Sequence, residues 1–247
     1  MDNTILLYML VGFVAQMIDG ALGMAYGVSS NTFLLSIGVP PAAASASVHL
    51  AEVATTGISG FSHWKLGNID WKLVKKLAIP GVLGGISGAY LLTSIDGNLL
   101  KPYISIYLLI MGVIILIKAF NGKHEPKETK HISILGVIGG FFDAIGGGGW
   151  GPIVTTTLVA RGKNPRFAIG SVNFSEFFVT FAESVTFVLT LSFLGYWQII
   201  LGLLIGGAIA APMAAVIARK LPVRALMFMV GTLIVGLSIR TIWLSLG

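Results

Sequence analysis

Eight apolar stretches, at about 4–37, 43–63, 74–94, 100–120, 132–160, 167–193, 197–218 and 223–245, account for nearly the whole chain and leave only short loops between them. So much apolar surface cannot be hidden in a water-soluble core, and lipid is the solvent that suits it. With 247 residues, 55% of them hydrophobic and 11% charged, there is room for segments of about 20 residues each and for no soluble catalytic domain. The expectation is an all-α integral membrane protein, multi-pass, in contact with membrane lipid and with its function inside the membrane.

Several classes fall away on composition. There is no cysteine, which excludes disulfides, thiolate metal sites and Cys nucleophiles. The formal charge of +6 does not point to nucleic acid, because the basic residues sit in short loops between apolar runs, as orientation signals do. The chain opens Met1-Asp2-Asn3 with no Lys or Arg before the first apolar run. No cleaved signal peptide is expected, and the first segment is expected to belong to the mature protein.

The chain repeats itself. The motif from Asp19 to Gly27 falls on Asp143 to Gly151 at an offset of 143 − 19 = 124, and the same offset pairs Gly38 with Gly162, Pro41 with Pro165, Ser47-Val48 with Ser171-Val172, Glu52 with Glu176 and Thr56 with Thr180. Only 10 residues are acidic, so shared hydrophobicity does not account for two Asp/Glu pairs in one register. The expected units are a first repeat over 1–120, a polar cytoplasmic linker over 121–131 and a second repeat over 132–247.

Basic residues orient the halves. They cluster after the second segment (Lys65, Lys72, Lys75, Lys76), in the linker region (Lys118, Lys123, Lys127, Lys130), after the fifth (Arg161, Lys163, Arg166) and after the seventh (Arg219, Lys220, Arg224), so those loops are expected on the cytoplasmic side. Both flanks of the first segment then lie outside and both flanks of the fifth inside. As one helix, residues 4–37 would reach about 50 Å, too long for one crossing of a core about 30 Å thick and too short for two. A re-entrant, broken helix with the glycine-rich motif at its middle fits instead. Three full crossings remain in each half, so the halves should be inverted, with six full spans, two re-entrant elements and both termini outside.

Two groups of residues bear chemistry. The glycine-rich turns hold Gly20, Gly23, Tyr26 and Gly27 in the first half and Gly146, Gly147, Gly148, Gly149, Trp150 and Gly151 in the second. Such glycines let backbone N–H groups turn toward a ligand, and the half-helix after each turn aims its positive end there, which makes an anion site. Gly84 with Gly88, and Gly202 with Gly206, read instead as helix packing. No strand precedes the turns and no Lys-Ser/Thr follows them, which excludes a P-loop or dinucleotide site.

The second group lies on the next segment, where Ser45, His49, Glu52, Thr56 and Ser59 share one helical face and Asn173, Glu176, Thr180 and Glu183 form the equivalent line. Carboxylates at membrane depth cost several kcal/mol unless protonated, paired or wetted. Glu52 and Glu176, with Thr56, Thr180 and Glu183, are candidates for holding coupling H+ or Na+ or for gating; interhelical hydrogen bonding is the structural alternative. His49 stands three residues from Glu52 and is expected to pair with it or to titrate near neutral pH. Asp19 and Asp143 either cap the turns or bind a cation. Trp64, Trp71, Trp197 and Trp243 with His63 belong at interfaces, and Arg240 either snorkels outward or lines the path.

The paired Asp/Gly-rich turns, the two Ser-Val-x-x-x-Glu segments at Ser47–Glu52 and Ser171–Glu176 and the four-plus-four arrangement resemble the TauE/SafE family of sulfite and organosulfonate exporters, over nearly the whole chain. The resemblance implies export of a small sulfur-containing anion across a bacterial inner membrane, coupled to protons or sodium. By matched position it places substrate near Gly20 to Gly27 with Ser47 and His49, and near Gly146 to Gly151 with Ser171 and Asn173. No catalytic residue, metal or other cofactor is expected, and a homodimer is left open. Two other classes compete: a cation transporter or channel using Asp19, Glu52, Asp143 and Glu176 as oxygen ligands, and a membrane enzyme using His49 and Glu52 as an acid–base pair. The second half has Asn173 where the first has His49, which ranks the enzyme last.

Overall fold

The computed structural model describes residues 3–22, 24–120, 131–161, 163–191, 195–217 and 223–246. Gly23, Gly162, most of the central linker with Lys123, His124, Lys127 and Lys130, and the Arg219-Lys220 pair lie outside the described residues.

Among the described residues the secondary structure is helical throughout, with no strand. The first apolar stretch is interrupted where the glycine motif stands, giving α1 (Asn3–Leu22) and α2 (Tyr26–Ser36). The remainder of the first half is α3 (Pro41–Lys65), α4 (Trp71–Ser94) and α5 (Gly97–Phe120). The second half opens with α6 (Ile132–Gly146), breaks at Gly147, and resumes as a π-helical turn (Gly151–Thr155) running into α7 (Thr156–Ala160). Then come α8 (Pro165–Thr190), α9 (Trp197–Ile217) and α10 (Val223–Leu246).

Local chemistry sets these boundaries. Pro41 opens α3 at a position whose N–H has no helical partner. The carboxylate of Asp70 accepts from the Lys72 and Leu73 N–H groups and caps α4. The second break is made by Gly147 and Gly148, at φ 62° and 144°, where a side chain would be strained. In the first, Ala25 adopts φ 102° with no such licence.

Among the described residues, four helices are long and apolar enough to cross a membrane: α4, α5, the Phe167–Thr190 part of α8 and the Met227–Leu244 part of α10. Shorter apolar helices cover Thr4–Asp19, Ile132–Gly146 and Trp197–Ala211. Helix α3 has the length but not the hydropathy, because its inward face carries Ser45, Ser47, His49, Glu52, Thr55 and Thr56, all buried. Large apolar side chains such as Leu10, Ile79, Leu99, Phe120, Leu189 and Trp243 are exposed, as lipid-facing surface must be.

The helices pack across the two halves. Helix α1 lies along α9, α4 along α6, α3 along α8 and α5 along α10. The first two contacts are glycine-lined, as the sequence suggests. A Cβ on Gly202 would stand 2.5 Å from the Tyr8 Cβ, and one on Gly88 would stand 2.5 Å from the Phe141 oxygen, while Gly84 and Gly206 face the Val137 and Met9 carbonyls. Small residues let the backbones approach where no hydrophobic drive separates helix from lipid.

Candidate functional site

The glycine turns of the two halves touch each other. A Cβ on Gly27 would lie 2.6 Å from the Gly148 Cα, and one on Gly148 would collide with the Val28 nitrogen. Around this crossing lies a polar chamber lined by Asp19, Ala25, Gly27, Glu52, Asp143, Gly148, Gly149, Gly151 and Glu176. It continues past Asp19, Glu52 and Glu176 to Gln16, Thr55, Thr56, Ser59 and Asn173. The two groups recognised in the sequence therefore meet in one place. In this conformation the chamber is narrow, with room for little more than one water.

The turn amides do not face an open space. Asp143 takes all four: its carbonyl accepts from the Gly147 and Gly148 N–H groups, and its Oδ1 accepts from Gly149 N–H at 2.6 Å and Trp150 N–H at 2.9 Å. In the first half Asp19 Oδ1 accepts from the Tyr26 N–H at 3.3 Å. In this structure these donors are held by the aspartates, which cap the turns and occupy the positive helix ends.

His49 is also reassigned. It does not pair with Glu52; its Nε2 lies 2.8 Å from Glu183 Oε2 and 3.6 Å from Asp143 Oδ2, with all three side chains buried. One imidazole and two carboxylates offer ligand atoms within 4.8 Å of one another, a donor set a cation could use. Glu183 sits so tightly against α4 that a Cβ on Gly85 would be 2.7 Å from its Cγ. None of the buried polar side chains among the described residues is a lysine or arginine.

The remaining sequence candidates divide. Thr56 and Thr180 each donate to the glutamate carbonyl one turn back, Glu52 and Glu176, at 2.7 Å. The Ser59 hydroxyl donates to Asn173 Oδ1 at 3.3 Å. Ser47 bonds to the Ala43 carbonyl, and Ser171 accepts the Asp70 N–H at 2.8 Å; neither lines the chamber. Tyr26 and Trp150 are buried anchors rather than chamber walls: the Tyr26 hydroxyl donates to the Leu203 carbonyl at 3.0 Å, and Trp150 Nε1 to the Val172 carbonyl at 3.2 Å. Gly20 lies in the last turn of α1, and Gly146 ends α6. Arg240 donates to the Ser36 carbonyl at the end of α2, countering the negative end of that helix. Asn31 and Tyr107 escaped the sequence reading. Asn31 Nδ2 donates to the Gly146 carbonyl at 2.5 Å, and the Tyr107 ring fills the groove that Gly146 and Gly149 leave open. The signal for Asn31 is its place in the polar stretch Ser29 to Thr32 of α2.

Comparison with known proteins completes the picture. The sequence model of the sulfite exporter TauE/SafE family matches residues 8–241. The chain is 43% identical to a Bacillus subtilis (strain 168) protein named probable membrane transporter protein YtnM, over 96% of this chain and 82% of that one. It is 27% identical to a probable membrane transporter protein of Haemophilus influenzae, over 77% of this chain and 76% of that one. No solved structure matches.

Proposed function

The chain belongs to the sulfite exporter TauE/SafE family, and from that premise we propose that this membrane transporter exports a small sulfur-containing anion, sulfite, sulfoacetate or a related organosulfonate, by alternating access coupled to protons or sodium. The observation that carries this is the chamber in which both glycine turns and the carboxylates Asp19, Glu52, Asp143 and Glu176 converge. Helix ends aimed at one point favour an anion. The carboxylates, with no buried lysine or arginine beside them among the described residues, oppose one until they are neutralised. An anion therefore enters only together with a proton or a cation, which is what coupling requires.

The narrowness of the chamber makes this a closed conformation, and substrate reaches the turn amides by displacing Asp143. The proposed scaffold is an inverted repeat of residues 1–120 and 132–247 about the linker, in the inner membrane. Its support is that the first helix of each half packs on the fourth of the other, α1 on α9 and α6 on α4. Helix α2, at 11 residues, reaches about 16 Å, half of a hydrocarbon core, as a re-entrant half-helix would.

The His49, Asp143 and Glu183 cluster favours a second reading, a cation transporter with these carboxylates as ligands. Liposomes loaded with radiolabelled sulfite separate the two. Efflux competed by sulfite or sulfoacetate, with Glu52→Gln and Glu176→Gln uncoupling but not abolishing exchange, is the expected result. No anion exchange at any pH or sodium gradient, with metal uptake lost in the same variants, would establish the cation reading instead.

A further inference from the structure

We infer that the seam between α1 and α10 binds one anionic phospholipid, with its phosphate on Arg224 and an acyl chain lying along α10 beneath the end of α1. Packing leaves this seam open. Helix α10 lies along α5 and α1 along α9, so α1 and α10 touch each other only lightly. Between them runs an apolar groove of about 460 Å³, lined by Val14 and Ile18 of α1 and by Phe228, Met229, Thr232 and Leu233 of α10. Past Phe228 it meets a second hollow of about 400 Å³, walled by Ala119 and Phe120 at the end of α5 and by Arg224 and Ala225 at the start of α10.

The counterpart contact in the other half is closed. At the offset of 124, Ile18 falls on Phe142, and Phe142 stacks on Tyr107 of α5 with ring centroids 5.2 Å apart. Ile18 carries no ring to make that stack, and Phe228 of α10 turns edge-on to Phe120 instead, at 6.0 Å. No described residue fills the gap between them. Left empty, such a groove would leave its lining without dispersion partners, and in a bilayer the material at hand is an acyl chain.

Length and charge name the occupant. From Arg224 to Leu233 is 233 − 224 = 9 residues, about 14 Å of helix, against about 15 Å for one leaflet of a hydrocarbon core about 30 Å thick. The groove thus runs from headgroup level to the midplane, the depth at which a re-entrant α1 ends. At its headgroup end Arg224 is exposed in the first turn of α10, where the helix dipole is also positive. Among the described residues no carboxylate pairs with this guanidinium. After Glu183 the sequence contains no Asp or Glu, while Arg219 and Lys220 stand just before Arg224. An arginine fork suits a phosphate, and a basic rim without acidic groups favours an anionic lipid over a zwitterionic one. Free phosphate would meet Arg224 but leave the apolar groove empty.

The site adjoins the transport chamber. Ile18 lines the groove, and Asp19, the next residue, lines the chamber. A lipid seated here supports the end of α1 in the leaflet that helix does not enter. The depth argument rests on the re-entrant reading of α1; the groove and Arg224 do not, nor do they depend on what the chamber carries.

The test is native mass spectrometry of the full chain after incubation with equal amounts of phosphatidylglycerol and phosphatidylethanolamine carrying the same acyl chains. The native protein should retain one lipid and prefer phosphatidylglycerol about fivefold, the weight of one basic side chain at an anionic membrane surface. Arg224→Gln should bring that ratio to about one, while Lys72→Gln, which removes an exposed lysine from the start of α4, should leave it unchanged. Thr232→Trp, which puts a ring into the groove, should lose the bound lipid. A native ratio of about one, an equal loss of preference in Lys72→Gln, or full retention by Thr232→Trp overturns the inference. So does a dimer that Thr232→Trp dissociates, which would make the seam an interface between copies. Should a variant not fold, phosphatidylglycerol with a diazirine in its acyl chain decides on the native protein alone. Adducts concentrated on residues 14–18 and 228–233 support the site, and labelling spread evenly to exposed positions such as Ile79 and Leu83 of α4 overturns it. Neither measurement requires transport, so a protein that exchanges no sulfite overturns the transport reading and leaves this test standing.

Discussion

The Thr56 and Thr180 hydroxyls stand 3.5 Å apart, each bonded to the carbonyl of its own repeat-equivalent glutamate, so two residues separated by 124 positions meet their own counterparts. A position that touches its mate marks where a two-fold relation between halves would pass. Because the chain contains no cysteine, Thr56→Cys with Thr180→Cys introduces the only thiols. The geometry predicts a cross-link within one chain on oxidation, detected as joined α3 and α8 peptides by mass spectrometry. If these helices part during transport, oxidation stops sulfite exchange and reduction restores it; no cross-link would refute the contact.

The crossing of the glycine turns predicts a sharp steric effect. Gly27→Ala places a methyl 2.6 Å from the Gly148 Cα and 2.8 Å from the Gly147 oxygen, both backbone atoms that cannot step aside. The expected cost is about 1–3 kcal/mol in thermal unfolding in detergent, with loss of exchange. Gly236→Ala, inside α10 and with nothing within 4 Å of its new methyl, should instead stabilise by up to about 1 kcal/mol.

Ala25 predicts a gain from the reverse exchange. Its φ of 102° is a conformation that a Cβ disfavours, and Ala25→Gly should stabilise the protein by up to about 1 kcal/mol, less what glycine adds to unfolded-chain entropy. A fall in melting temperature would show that the first turn draws its stability from the Ala25 methyl, which is buried.

Tyr26→Phe removes one hydrogen bond, to the Leu203 carbonyl, and leaves the ring in place. A loss of about 1 kcal/mol is expected, and since the hydroxyl does not line the chamber, the affinity for sulfite in exchange competition should stay as it is.

Apolar periodicity, basic loops and the 124-residue offset were enough to place the helix breaks, because a glycine-rich stretch inside an apolar run is read locally. The same register singled out Asp19, Glu52, Asp143, Glu176 and Glu183, since acidic residues are costly in lipid wherever they point. Partnership was not legible. Helical spacing offers His49 the Glu52 three residues away, yet rotation of α3 against α8 and α6 gives it Glu183 and Asp143, more than ninety positions distant. Nor does the sequence show that Asp143 consumes the very amides the glycines expose. Sequence by itself determined which residues must be buried together, through the cost of polar groups in hydrocarbon; only tertiary packing decided which of them touch, because those contacts depend on how helices from opposite halves rotate and approach.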